Sequence, residues 1–251
     1  MCLNIREKGK NIIMENVLIT GGSRGIGRSC VYEFIKKGYR VFFTYNKSEK
    51  EALEISEKTG AVAIKCDISK SNEVEKMSEF IHNNYGKISV IVNNAGISQI
   101  KLFCDITEND WDEMFDVNIK GMYLVTHEFI KDMINERKGK IINISSMWGS
   151  TGASCEVHYS ASKAAVIGFT KALAKEMGPS CVNVNCIAPG VIDTDMNSEL
   201  TKEDIEALCD ETPLMRTGTP DEVAKLAVFL AGEDASFITG QVIGQNGGLV
   251  I

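Results

Sequence analysis

The feature that most restricts the fold is a short apolar run followed at once by a glycine-rich turn and a helix-like stretch. Val17-Leu18-Ile19-Thr20 reads as a buried strand, a brief run of apolar and β-branched residues that ends at glycines. Gly21-Gly22-Ser23-Arg24-Gly25-Ile26-Gly27 follows, and Arg28 to Lys37 then has helical apolar spacing that stops at Gly38. Such a turn aims backbone N–H groups and the positive end of a helix dipole at one point, which suits a pyrophosphate. The strand-then-helix rhythm repeats. Arg40–Tyr45, Ala61–Cys66, Ile88–Val92, Lys140–Ser145, Val182–Ile187 and Gly240–Gly244 read as strands, most of them parted by helical stretches. Alternation of this kind, without repeats or linkers, predicts a single α/β domain with a doubly wound parallel sheet and helices on both faces.

Composition narrows the class. The 251 residues are 44% hydrophobic and 24% charged, a balance that excludes a disordered chain. A formal net charge of -7 argues against nucleic acid as the main partner, since phosphate binding needs a basic surface. No apolar run approaches the roughly 18 residues of a membrane span. The first stretch, MCLNIREKGKNIIMENV, is broken by charges and lacks a signal-peptide core, so the expected location is the cytoplasm. Residues 1–13 read as an N-terminal extension, with Met14 a usable start and the domain spanning 14–251. The 8 cysteines form no C-x-x-C pair and are expected as buried thiols, while His82, His127 and His158 lack metal-ligand spacing, so no metal site is expected.

Two places carry chemistry beyond the glycine turn. The second strand ends Thr44-Tyr45-Asn46-Lys47-Ser48, with no acidic residue at the position where NAD-binding units hold a ribose 2′-hydroxyl. Arg24 in the turn and Lys47 after the strand instead suit a 2′-phosphate, which points to NADP(H). The next strand leads into Asp67-Ile68-Ser69, where Asp67 either caps the following helix, forms a local turn or reaches an adenine amino group. Asn93-Asn94-Ala95-Gly96 closes another strand at the crevice where open α/β sheets bind ligands, although Asn93 can equally tie neighbouring strands together.

The second place is Ser145 to Lys163. Tyr159 and Lys163 are four apart and share a helix face. An ammonium beside a phenol is expected to lower the phenol's pKa, and Ser146 can hold a substrate oxygen at the same point. Together they form a device for protonating a carbonyl oxygen or deprotonating an alcohol. Asn118, inside a long helical region from about Thr107 to Arg137, marks a local irregularity of the helix ladder. The small-residue spacing of Ala161, Ala164, Ala165, Gly168 and Ala172 implies close packing on another helix, in the core or at a subunit contact. Val191 to about residue 215 is polar and charged, and reads as a lid over the crevice.

In this order the motifs T-G-x-x-x-G-x-G (Thr20–Gly27), N-N-A-G (Asn93–Gly96), Asn118, Ser146, Y-x-x-x-K (Tyr159–Lys163) and Pro189-Gly190 resemble the short-chain dehydrogenase/reductase family. The resemblance covers about Met14 to Ile251 and implies a seven-stranded Rossmann-type sheet, an NAD(P) cofactor and a homotetramer. It further implies that Tyr159 is the general acid, that Lys163 lowers its pKa and binds the nicotinamide ribose, that Ser146 holds the substrate oxygen, and that Asn118 anchors a water in the proton relay. Cofactor contacts would come from Gly21, Ser23, Arg24, Gly25, Ile26, Gly27, Tyr45, Asn46, Lys47, Asp67, Ile68, Asn94, Ala95, Gly96, Pro189 and Gly190, with Ile192 and Thr194 at the carboxamide. The general likeness is to 3-oxoacyl-acyl-carrier-protein reductases. Arg137 and Lys138 fit one basic position of such an enzyme for docking the acidic carrier, whereas Gly178-Pro179-Ser180-Cys181 lacks the arginine of the other. The stretch Trp148 to Val157 is also similar to reductases that act on a 5-aminopentanone group attached to elongation factor P. There Glu156 would meet the substrate's amine and Trp148 would offer a ring face.

Overall fold

The computed structural model describes residues 14–197 and 201–251. Met1–Ile13, the expected extension, and residues 198–200 of the expected lid lie outside the described residues. Seven strands run in chain order: β1 (Asn16–Ile19), β2 (Arg40–Tyr45), β3 (Val62–Lys65), β4 (Val90–Asn93), β5 (Gly139–Ile144), β6 (Val182–Pro189) and β7 (Val242–Gln245). They form one sheet in the order β3-β2-β1-β4-β5-β6-β7, with every neighbouring pair parallel. The helices are α1 (Gly25–Lys36), α2 (Glu49–Thr59), α3 (Ser71–Tyr85), α4 (Glu108–Phe115), α5 (Met122–Glu136), α6 (Trp148–Thr151), α7 (Val157–Met177), α8 (Lys202–Glu211) and α9 (Pro220–Ala231).

The apolar runs of the strands explain the layers. Successive side chains alternate between faces, so Val17 and Ile19 point one way and Leu18 the other. On the first face Val17, Ile19, Val41, Phe43, Val90 and Val92 pack with Cys30, Val31 and Phe34 of α1 and Val223, Ala227 and Leu230 of α9. On the second face Leu18, Phe42, Ile91, Ile141 and Val184 pack with Val74, Met77 and Ile81 of α3 and Val125, Phe129 and Met133 of α5. Phe34, Phe42, Phe43 and Phe129 are fully buried, so truncating any of them is worth about 3–5 kcal/mol of stability.

A polar rung crosses the second face. Asn93 Nδ2 donates to Thr126 Oγ1 at 3.0 Å and to Asn143 Oδ1 at 2.9 Å, and Asn143 Nδ2 donates to Thr170 Oγ1 at 2.9 Å. Asn93 therefore ties β4 to β5 and α5, which is the structural one of its two expected roles.

The long helical region is three pieces. Between α4 and α5 lies a π-helical turn, Asp116–Gly121, that contains Asn118. Of the two expected roles for the small residues along α7, core packing does not hold for Ala164, Gly168 and Ala172, which are exposed, and a Cβ at Gly168 would meet nothing within 4 Å.

Candidate active site

The sheet order makes β1 and β4 neighbours at the point where the chain reverses direction across the sheet, and ligands of such sheets bind beyond the strands' carboxyl ends there. A cleft of about 1350 Å³ opens at this edge, larger than the ~300–1,000 Å³ of an ordinary small-molecule pocket. It has room for a dinucleotide and a second reactant.

Its floor is the glycine turn. Asn94 Nδ2 donates to Thr20 O at 2.9 Å and Gly21 O at 3.1 Å, while Thr20 Oγ1 accepts from Asn94 N and Ala95 N, both at 3.0 Å. Gly27 allows the turn to close: a Cβ there would stand 2.1 Å from Gly21 O. At the N-terminus of α1 the cap residue is Arg24, no side chain caps the helix, and no acidic residue lies in the first turn. Those N–H groups have no carboxylate competing for them, the donor set a pyrophosphate needs. Ser23, Arg24, Gly25, Ile26, Tyr45, Asn46, Lys47, Asp67, Ile68, Asn94, Ala95, Gly96, Pro189, Gly190, Ile192 and Thr194 line the same cleft. Of the expected cofactor residues only Gly27 sits behind its wall. Tyr45 hydroxyl donates to Glu49 Oε1 at 3.5 Å, but Glu49 does not reach the cleft, where Arg24 and Lys47 stand without a carboxylate at the tip of β2.

Asp67 does not cap a helix. Its Oδ1 accepts from Ser69 N at 3.1 Å and Ser69 Oγ at 2.7 Å, closing a local turn, while α3 starts after Lys70 without a side-chain cap.

The chemical group lies at the carboxyl end of β5. Ser146, Tyr159 and Lys163 all face the cleft while being 8%, 7% and 5% exposed. Ser146 Oγ accepts from Trp148 N at 3.2 Å. Lys163 Nζ donates to Ile144 O at 3.0 Å and stands 5.7 Å from the centre of the Tyr159 ring. Burial dominates the phenol, pushing its pKa up to about 12 against the opposing pull of a Ser146 hydrogen bond, and the Glu156 charge adds to the rise. The expected lowering is not seen, because burial is the largest influence on the phenol and raises its pKa. Burial likewise pushes Lys163 down to about 8.

Asn118 is 2% exposed and does not line the cleft. The π turn carries its side chain toward the segment after β4. Its Oδ1 accepts from Ile97 N at 2.8 Å, and its Nδ2 donates to Ile97 O at 3.0 Å and Ser162 Oγ at 2.9 Å. A Cβ on Gly96 would lie 3.1 Å from Asn118 Oδ1 and 3.3 Å from Lys163 Nζ, so this glycine lets the cleft wall pass close to both side chains.

The stretch between Ser146 and Tyr159 is not plain loop, for Trp148–Thr151 forms the short helix α6. Trp148 and Glu156 both line the cleft. Glu156 occupies the N-cap of α7 without a side-chain cap bond. Its carboxylate is half-buried, makes no hydrogen bond among the described residues, and burial pushes its pKa up. Met196, Asn197 and Leu208, within the expected lid, also line the cleft, and so does Gln99, which sequence reasoning missed. For Gln99 a signal existed: it stands three residues past Gly96, at the carboxyl end of β4. Of the cysteines described, Cys30, Cys66 and Cys186 are buried as expected, whereas Cys104 is exposed and Cys155, Cys181 and Cys209 are partly so. Among the described residues no His/Cys/Asp/Glu group has metal-holding geometry, and no helix is long and apolar enough to cross a membrane.

Comparison with known proteins agrees with this geometry. A family model described as "Enoyl-(Acyl carrier protein) reductase" matches residues 21–250. The chain is 43% identical over 237 residues to the 3-oxoacyl-[acyl-carrier-protein] reductase of Aquifex aeolicus, spanning 92% of this chain and 96% of the relative. The enzyme of the same name from Chlamydia muridarum is 40% identical over 243 residues, covering 95% and 98% of the two chains. The one from Staphylococcus aureus is 37% identical over 240 residues, covering 94% and 98%. The family's reactions use a nicotinamide dinucleotide, which the glycine cradle and open helix terminus fit. The chain belongs to the short-chain dehydrogenase/reductase family and is an oxidoreductase acting on CH–OH or C=O groups.

Proposed function

We propose that the protein reduces a ketone to a secondary alcohol with NADPH, and that its substrate is a 3-oxoacyl group carried on acyl carrier protein. The observation that carries the reaction is the gathering of Ser146, Tyr159 and Lys163 on one cleft with the glycine cradle at its other end. When bound, NADPH supplies the hydride for the carbonyl carbon. Ser146 holds the carbonyl oxygen by donating its hydroxyl proton. Tyr159 delivers a proton to that oxygen as the C–H bond forms. A phenol raised to about 12 is fully protonated at neutral pH, which is the form an acid needs. Lys163 orients the ribose and carries positive charge toward the phenolate left behind. Asn118, held at Ile97 and Ser162, anchors the inner end of the proton path. Arg24 and Lys47 take the 2′-phosphate.

The carrier protein enters through the relatives' names, which also favour a ketone over the enoyl group of the family model's description. Arg137 donates to Pro179 O and Lys138 pairs with Glu15. Both precede β5, at the opposite end of the strand from Ser146, so a carrier docked there must reach across roughly 20 Å of sheet. The exposed small-residue strip of α7 supports a homotetramer in which helices of separate copies meet.

One observation favours a second substrate, the 5-aminopentanone group on elongation factor P. A half-buried carboxylate without a partner among the described residues, such as Glu156, is relieved by a cation, and an acyl thioester brings none. The deciding experiment offers purified enzyme and NADPH a 3-oxoacyl thioester, the matching enoyl thioester and the aminopentanone-modified factor, each with wild type, Tyr159→Phe and Glu156→Gln. NADPH oxidation with the 3-oxoacyl thioester alone, lost in Tyr159→Phe, is the expected result. Turnover confined to the modified factor and lost in Glu156→Gln transfers the assignment to that substrate. Full turnover by Tyr159→Phe overturns the mechanism for either.

A further inference from the structure

His158 directly precedes Tyr159 and is fully buried, yet the mechanism above does not use it. Its Nε2 lies 3.0 Å from Gln99 Oε1, and the Gln99 amide nitrogen donates to Asp110 Oδ1 at 3.2 Å. The chemistry of the chain's far end fixes every proton along it. Asp110 Oδ2 receives Thr107 N at 2.8 Å and Thr107 Oγ1 and Lys101 Nζ, both at 2.6 Å. These donors hold its carboxyl well below the usual carboxylate range, so it is an acceptor only. Gln99 must therefore turn its NH₂ toward Asp110 and its oxygen toward His158. That in turn requires the hydrogen on His158 Nε2 and leaves Nδ1 bare. His158 Nδ1 is indeed buried without a partner among the described residues. A second proton would sit on that partnerless nitrogen, and burial accordingly pushes the imidazole's pKa down against the opposing influence of Asp110.

The consequence falls on Gln99, because Gln99 lines the cleft. With one N–H given to Asp110 and one lone pair to His158, its amide cannot flip, and one N–H is left unassigned. The same segment is fastened to the loop before Tyr159, since Lys101 N donates to Cys155 O at 2.7 Å. We propose that Gln99 contacts the substrate as a hydrogen-bond donor to an acceptor oxygen beyond the reacting ketone, such as a second carbonyl, and that His158 and Asp110 are positioning residues that hold its amide in that sense. This role rests on the ketone-reductase reading above and adds to it a specificity determinant from the β4–α4 segment.

The experiment compares wild type, Gln99→Leu, His158→Phe and the double variant on a 3-oxoacyl thioester with NADPH, alongside thermal unfolding of each. Gln99→Leu is expected to raise KM for the thioester roughly tenfold, the scale of one lost hydrogen bond, with kcat and KM for NADPH within about twofold. His158→Phe is expected to give the same pattern more weakly. The double variant should be no worse than Gln99→Leu, since His158 acts through Gln99. Independently, ¹⁵N NMR of the wild-type ring should show the neutral Nε2–H tautomer at pH 7, giving way to a tautomer mixture in Gln99→Leu; this readout stands even if His158→Phe does not fold. An unchanged thioester KM in Gln99→Leu overturns the substrate contact while leaving ketone reduction intact. An Nδ1–H or charged imidazole in wild type overturns the positioning chain. If wild type turns over no ketone, the underlying reading fails, and the NMR result alone then judges the chain.

Discussion

Replacing Lys163 with Met should abolish turnover with NADPH yet make the cofactor-free protein more stable at pH 7. The ammonium is 5% exposed and has one hydrogen-bond partner among the described residues, Ile144 O at 3.0 Å. Its pKa falls from 10.5 to about 8 on folding, which corresponds to a penalty of roughly 3 kcal/mol at neutral pH. Met keeps the length of the stem and removes the charge; it also removes the bond to Ile144 O, worth about 1 kcal/mol. The net expectation is a gain of about 2 kcal/mol, or roughly 4–8 °C in Tm for a chain of this size. The sign follows from linkage. A base with a depressed folded pKa carries its full penalty below about 8, and sheds it as pH rises toward 10.5, where the unfolded lysine also loses its proton. The difference in Tm between Lys163→Met and wild type should therefore be largest at pH 7 and close to zero, or slightly reversed, near pH 10. Differential scanning fluorimetry at matched pH values measures it. A variant less stable than wild type at pH 7, or a gain that does not shrink with pH, refutes the idea that burial dominates this lysine. NADPH should reverse the order at pH 7 if Lys163 binds the ribose, because the wild type alone then gains from the ligand.

Two further outcomes follow from the cofactor end. Gly27→Ala, normally favourable within a helix by about 1 kcal/mol, should instead destabilise by about 2–4 kcal/mol in urea unfolding, because the new Cβ would lie 2.1 Å from Gly21 O; an unchanged midpoint would show that the turn can open without cost. The pair Arg24→Ala and Lys47→Ala should raise KM for NADPH roughly tenfold and leave NADH within about twofold, an effect that shrinks with added salt; equal changes for both cofactors reject the 2′-phosphate assignment.

The layers and the cleft were legible because they depend on local pattern. Val17–Ile19 and Arg40–Tyr45 are apolar runs closed by turn residues, and all seven expected strands exist within a few residues of their predicted ends. The glycine spacing likewise defined the cradle, since a Cβ at Gly21 or Gly27 would collide with backbone whatever surrounds it. What could not be read was the balance of opposing effects at one atom. Spacing places Lys163 near Tyr159, but only burial decides that the phenol moves up rather than down. Asp67 was left open between two local roles for a related reason, because a helix cap and an Asx turn use the same residue type and differ only in where α3 begins. Gln99 and His158 are 59 residues apart, and no periodicity links them. The exposed Ala164 and Gly168 show the same limit, for small residues state how closely a partner can approach and not which chain supplies it.

The buried amides of Asn93 and Asn143 bear on how the sheet assembles. The strands around them, Val-Ile-Val-Asn and Ile-Ile-Asn-Ile, are apolar on both faces, so hydrophobicity alone barely distinguishes one pairing offset from the next. Sliding β4 against β5 by two residues would keep the oily contacts almost intact. It would part Asn93 from Asn143, which face each other in the native pairing, and leave a dehydrated N–H on one strand and a dehydrated amide oxygen on the other without their shared bond. The two asparagines thus act as an alignment mark during folding, making the mispaired sheet costly where its side-chain packing would not.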